Sequence, residues 1–100
     1  MKSSTKADEQ ILTAESWWAA NRPLAPELFR EELLGAFDML SNAPDIGRPY
    51  RRLKIPGLRR FLLPRTRYHV YYVHEVEPNR IIILAVWSAV RGRAPKLNYP

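Results

Sequence analysis

The sequence predicts a two-layer α+β domain, an antiparallel helical hairpin packed on a small, mainly antiparallel β-sheet. Three observations predict it. Apolar residues recur at helical spacing up to Leu40. Beyond Arg48 the pattern changes to short runs rich in Val, Ile and Tyr. Proline, glycine and asparagine punctuate those runs closely, which joins successive strands as antiparallel neighbours. The chain of 100 residues reads as one domain, 1–100, with 91–100 as an extended C-terminal tail.

The first helix is expected over Ala7 to Ala20. Thr5 and Asp8 have the capping-box spacing, a hydroxyl followed three residues later by an acid. Ala7, Ile11, Ala14 and Trp18 then lie on one face. Trp17 projects about 100° away, at the edge of that face. Pro23 disfavours helical geometry at Arg22 and ends the run.

The second helix is expected over Pro26 to Leu40. Pro26 suits a first turn, where its missing N–H needs no partner. Glu27, Glu31 and Glu32 sit near the positive end of the helix dipole. Phe29, Leu33, Ala36 or Phe37, and Leu40 form the stripe, with Leu33 and Phe37 expected in the core. Asn42-Ala43-Pro44 stops the helix.

Four strands are expected after it, near Arg51–Ile55, Leu58–Leu63, Arg67–Val76 and Arg80–Val90. Pro56-Gly57, Pro64-Arg65-Thr66 and Glu77-Pro78-Asn79 are the turns. Ile81 to Trp87 is apolar on both faces, which places it centrally with both faces covered.

Charge is divided unevenly along the chain. The net charge is +6, yet Met1 to Asp45 holds four basic and eight acidic residues, and Ile46 to Pro100 holds twelve basic and two acidic. From Ile46 to His74 there is no acid against eight Arg or Lys. Such a face repels itself, and it is kept for an anionic partner. The absence of cysteine excludes disulfides and thiolate chemistry. The longest apolar run, Ile81 to Trp87, is far short of a membrane span, and the N-terminus lacks the apolar stretch of a signal peptide. A cytoplasmic location is expected.

Few residues suggest covalent or metal chemistry. His69 and His74 lie five apart on one expected strand, so they point to opposite faces. No metal site and no cofactor is expected. No Ser-Gly elbow or Gly-rich phosphate loop is present. RNA cleavage needs a group to take the 2′-OH proton and others to hold the phosphate. Arginine is abundant for the second task, and His69, His74, Tyr68, Tyr71, Tyr72 and Tyr99 are the candidates for the first. Arginines interleaved with aromatics can also stack bases.

Three stretches carry a resemblance over nearly the whole chain: NAPDIGRPY from Asn42 to Tyr50, LRRFLLPRTRYHVYYV from Leu58 to Val73, and ILAVWSAVRGRAPKL ending at Leu97. They are similar to the RelE/ParE superfamily of bacterial type II toxins. The Pro44-x-x-Gly47-x-x-Tyr50 spacing, the Arg59-Arg60-aromatic element and Arg91-x-x-x-Pro95 act in combination. The superfamily has a branch that cuts mRNA on the ribosome and a ParE-like branch of DNA gyrase inhibitors. The cleaving branch tends to carry an Arg where His69 stands and a Tyr or His about where Leu97 stands, and many relatives carry a His where Ser88 stands. These departures favour the ParE-like branch. Members usually open with a strand, so one over Met1 to Thr5 should be short or missing.

The resemblance implies a gyrase-directed toxin without catalytic residues, neutralised by a cognate antitoxin that is often acidic. The expected target contacts are Arg59, Arg60, Arg65, Arg91, Arg93, Lys96 and Leu97. The expected antitoxin contacts are Trp17, Arg51, Arg52, Arg59 and Arg60. A RelE-like mRNA endonuclease and a plain basic nucleic-acid-binding module are the alternatives.

Overall fold

A computed structural model describes residues 1–97. The order of elements is β1 (Lys2–Ser3), α1 (Thr5–Asn21), α2 (Leu28–Asn42), β2 (Arg48–Pro49), β3 (Arg59–Leu63), β4 (Tyr68–Glu75) and β5 (Arg80–Ser88). The five strands form one sheet in the order β1-β5-β4-β3-β2. All its pairings are antiparallel except that of β1, which runs parallel to β5. The expected α+β architecture is therefore observed.

The opening strand is present but only two residues long. Ser4 explains why it stops there. Its hydroxyl accepts the Ala7 N–H as the N-cap of α1, while its own N–H donates to the Ile83 carbonyl. The cap is thus Ser4 rather than the expected Thr5, because one residue must both end β1 and start α1. Beyond β1 the edge of β5 needs other partners, and the Gln10 side-chain carbonyl accepts the Val86 N–H.

α2 begins at Leu28, two residues after the expected Pro26. The bonds Ala25 N–H to Arg22 and Leu28 N–H to Ala25 close successive turns, which take Pro26 into the linker. The stripe lands as expected at Phe29, Leu33, Ala36 and Leu40, all buried. Phe37 does not: it is half-buried and packs against the core from its edge. Ala36 and Leu40 hold the inward line of α2, and Phe37 lies one step round the helix from Ala36.

The expected strand at Arg51–Ile55 is also corrected. The strand is Arg48–Pro49, paired with Arg60 and Arg59. Residues 51–55 form a loop instead, and the Ile55 N–H bonds back to Leu53. Pro56-Gly57 then makes the turn, with Gly57 at φ +73 and Leu58 N–H bonded to Ile55.

Both sheet faces are covered. The helices lie on one face over Leu63, Val70, Tyr72, Ile81, Ile83 and Val86. On the other face Leu58, Tyr71, Val73, Leu84 and Ala85 are covered by Tyr50, Leu53, Ile55 and Leu97 from irregular segments. A register shift between Tyr71 and Tyr72 sets these faces. Tyr71 pairs with Ala85 and Tyr72 with Ile83, so Leu84 is the extra residue. Without it strict alternation from Ile83 would send Trp87 towards the helices. With it Val86 joins the helical core and Trp87 emerges on the second face.

Candidate cationic binding surface

The surface rests on a scaffold built from the Pro44-x-x-Gly47-x-x-Tyr50 stretch. The buried Tyr72 hydroxyl donates to the Pro44 carbonyl at 2.6 Å and accepts the Gly47 N–H at 2.9 Å. Burial is the main cause that raises the Tyr72 pKa above 10.0, so the hydroxyl keeps the proton it donates. Arg59 turns towards the same loop. Its guanidinium donates to the Gly47 carbonyl at 2.7 Å and to the Asp45 carbonyl at 3.2 Å, with the Asp45 carboxylate 3.7 Å away. This motif is therefore structural in its contacts, and it holds Arg59 in the fold.

A second scaffold fixes the β3–β4 turn. The Glu32 carboxylate accepts the backbone N–H of Arg65 at 2.7 Å and of Thr66 at 2.9 Å, plus the Thr66 hydroxyl at 2.7 Å. Such charge-assisted bonds are stronger than neutral ones. Arg67 then adopts φ +64, a left-handed conformation that costs a non-glycine residue about 1–2 kcal/mol. Its carbonyl accepts the Ala89 N–H at 2.7 Å, tying this turn to the exit of β5.

On these supports sits a platform of rings and guanidinium groups on the second sheet face. Arg60 lies 4.6 Å over the Tyr50 ring, and Tyr50 meets Tyr71 edge-on at 5.4 Å. His69 lies 6.0 Å from Tyr71 and pairs across the strands with Trp87. Arg91 stacks 4.2 Å over the Trp87 ring and Arg93 lies 5.9 Å from it. The Trp87 indole N–H donates to the Arg93 carbonyl at 2.9 Å, which folds the segment after β5 back over the sheet. Cation–π stacking of this kind orients a guanidinium plane without neutralising it.

The platform's electrostatics are one-sided. Among the described residues ion pairs join Arg30 to Glu15, Arg59 to Asp45 and Arg80 to Glu75. None engages Arg60, Arg65, Arg67, Arg91 or Arg93. His69 reports the same field: burial first, then Arg60 and Arg67, lower its pKa from 6.5. The imidazole is therefore neutral at physiological pH. The Tyr71 hydroxyl moves the other way, raised by burial against an opposing effect of Arg60.

A pocket of about 810 Å³ adjoins the platform, between α1, the β3–β4 turn and the exit of β5. Trp17, Trp18, Arg22, Arg67, Trp87 and Arg91 are among its walls. Arg22 lies 5.0 Å over the Trp17 ring and 5.6 Å from that of Trp18. Trp18 is buried as expected, while Trp17 is 44% exposed.

The expected site residues thus divide. Arg60, Arg91 and Arg93 join the platform. Arg65 and Trp17 line the pocket. Arg51 and Arg52 are exposed on the β2–β3 loop, and neither lines the pocket that contains Trp17. Lys96 is exposed, whereas Pro95 is buried and Leu97 packs on the second core. Tyr99 and the rest of 98–100 lie outside the described residues. Tyr50, Arg67, Trp87 and Arg22 were not among the expected contacts. Tyr50 carried a signal in the Pro-Gly-Tyr spacing, but the pairing of His69 with Trp87 depends on a register no linear pattern displays.

These contacts occur in a chain whose residues 2–92 match a family model, that of the ParE toxin of the type II toxin-antitoxin system, parDE. The chain belongs to this family. No relative matches it among curated proteins. The α+β fold and the arginine platform are therefore those of a ParE-family toxin. Membership also implies an antitoxin partner.

Proposed function

We propose that this ParE-family toxin arrests its target by inhibiting DNA gyrase, and that an acidic antitoxin neutralises it. One observation carries the reading. Arg60 and Arg91 lie over aromatic rings, Arg93 lies 5.9 Å from the Trp87 ring, and among the described residues no ion pair engages any of the three. Stacking has already fixed the guanidinium planes, so less freedom is lost when they take up a carboxylate or phosphate. Arginine can do so with two hydrogen bonds, which lysine cannot copy. A gyrase–DNA complex offers both groups.

The test is a gyrase supercoiling assay with wild type, Arg60→Ala and Arg91→Ala. Wild type should inhibit, and each variant should inhibit far less while remaining folded. Full inhibition by both variants would remove the platform from the mechanism.

A second reading rests on His69. A neutral imidazole beside Arg60 and Arg67 has the composition of a base next to phosphate-holding groups. This supports mRNA cleavage on the ribosome. Site-specific cuts in a translation reaction, lost in His69→Ala, would favour it over gyrase inhibition.

A further inference from the structure

The second sheet face presents mostly one kind of chemistry. Its aliphatic core is covered, with Leu58, Val73, Leu84 and Ala85 at most 4% exposed. Rings and guanidinium groups lie outside it. Tyr50, His69 and Trp87 are half-buried, and Arg91 and Arg93 are exposed. Leu62, which pairs with His69, is the half-buried aliphatic neighbour. No acid occurs from Ile46 to His74 or from Arg80 to Leu97, so nothing on β3, β5 or the segments beside them repels an anion.

The rings form two stations joined through the buried Tyr71. At the first, Tyr50 lies under Arg60 and meets Tyr71 at 5.4 Å. At the second, His69 meets Tyr71 at 6.0 Å and pairs across the strands with Trp87, which lies under Arg91. Each station thus couples a half-buried ring to a guanidinium that no ion pair engages among the described residues.

We propose that this surface seats an unpaired DNA strand, its bases stacking on the two stations and its phosphates held by Arg60, Arg91 and Arg93. The proposal rests on the reading of the platform as the surface that meets a gyrase–DNA complex, and it names the DNA as the part met. Every base has a π-face, so rings and guanidinium planes accept a strand of any sequence. A duplex closes those faces inside its stack and offers only base edges in its grooves. Arginine holds a phosphate with two parallel hydrogen bonds. An acidic peptide supplies the charge, but its aliphatic side chains meet a face whose own aliphatic core is already covered.

The test titrates the full chain with fluorescein-labelled oligo-dT, read by anisotropy and by quenching of tryptophan fluorescence. Arg60→Ala/Arg91→Ala should weaken binding roughly tenfold or more. The charge-matched pair Lys2→Ala/Lys6→Ala, on β1 and α1, should change it far less. Tyr50→Leu keeps bulk but removes a ring, and should also weaken binding roughly tenfold, whereas Tyr50→Phe should bind as wild type does. Circular dichroism checks the fold of both. Arg91→Lys alters an exposed residue and keeps its charge, so it should bind more weakly than wild type with an unchanged salt dependence. Equal weakening by the two alanine pairs overturns the proposal, because charge alone then suffices. So does a duplex of the same length that binds as tightly as the single strand, or oligo-rU that binds more tightly than oligo-dT. A polyglutamate peptide that binds with this dependence on Tyr50 and Arg91 while oligo-dT does not overturns it in favour of a protein partner.

A supercoiling assay separates this proposal from the target reading. Gyrase inhibition that depends on Arg60 and Arg91, by a chain that does not bind oligo-dT, keeps the gyrase target and overturns the DNA contact. Binding of oligo-dT that depends on the same residues, by a chain that leaves gyrase untouched, supports the DNA contact and overturns the gyrase target.

Discussion

A β-carbon on Gly47 would lie 2.5 Å from the hydroxyl oxygen of Tyr72 and 2.7 Å from its ring. The same hydroxyl accepts the Gly47 N–H. Glycine is required there by close approach, not by its backbone angle. Tyr72 is wholly buried, so its ring has little room to retreat. Gly47→Ala should therefore destabilise the protein by about 1–3 kcal/mol, the cost of overpacking. Tyr72→Phe removes the clashing oxygen but leaves the Pro44 carbonyl and Gly47 N–H unpaired, at about 1–3 kcal/mol for a buried unsatisfied group. Denaturant melts of both variants and of the double variant measure the coupling, which should be less than additive.

Phe29→Ala should cost more than Phe37→Ala. Phe29 is fully buried and meets Tyr68 edge-on at 5.0 Å, so its removal leaves a closed cavity worth about 3–5 kcal/mol. Phe37 packs at the core's edge, where water fills the space. A larger effect at Phe37 in denaturant melts would contradict this burial order.

Glu32→Ala should loosen the β3–β4 turn. The Thr66 hydroxyl and N–H and the Arg65 N–H all donate to that carboxylate. Bonds to charged groups are worth about 1.5–3 kcal/mol each in net terms. Amide hydrogen exchange at Arg65 and Thr66 should accelerate before the β4–β5 core is affected. Glu32→Gln should restore part of the protection, since its carbonyl still accepts.

Arg67→Gly should keep or raise stability while removing charge. Its φ of +64 suits glycine, which relieves about 1–2 kcal/mol of backbone strain, partly offset by the greater freedom of the unfolded chain. Melting temperature at or above that of wild type, with weaker inhibition in the supercoiling assay, is the expected pair of results.

His69 makes stability pH-dependent. Burial, Arg60 and Arg67 hold its folded pKa below 6.5, so the unfolded chain binds the proton first as pH falls. The stability this confers is complete above 6.5 and is lost as pH falls from there through the lower folded value. His69→Phe should flatten that slope in melts spanning about pH 7 to 5. Tyr68, Tyr71 and Tyr72 act at the other end. Their raised values give stability present below 10.0 and lost as pH climbs past it.

The α+β class, both helices, three of the strands and the basic second half are legible along the chain. Those features follow from period and composition, which are local: helical spacing selects Ala7, Ala14, Trp18, Phe29, Leu33 and Leu40, and the alternation around Val70 and Tyr72 selects strands. The positions of the arginines are legible as well, but not which of them remain unneutralised. Arg59 and Arg60 are neighbours of equal appearance, yet alternation sends Arg59 to the Asp45–Gly47 loop and Arg60 to the Tyr50 ring. Packing between distant segments settles that, along with the emergence of Trp87 through the extra residue at Leu84 and the failure of 51–55 to pair. Burial, ion pairing and strand register are set by partners far away along the chain. The Tyr72 hydroxyl needs Pro44 and Gly47, the turn at Thr66 needs Glu32, and Trp87 needs His69 across the strand.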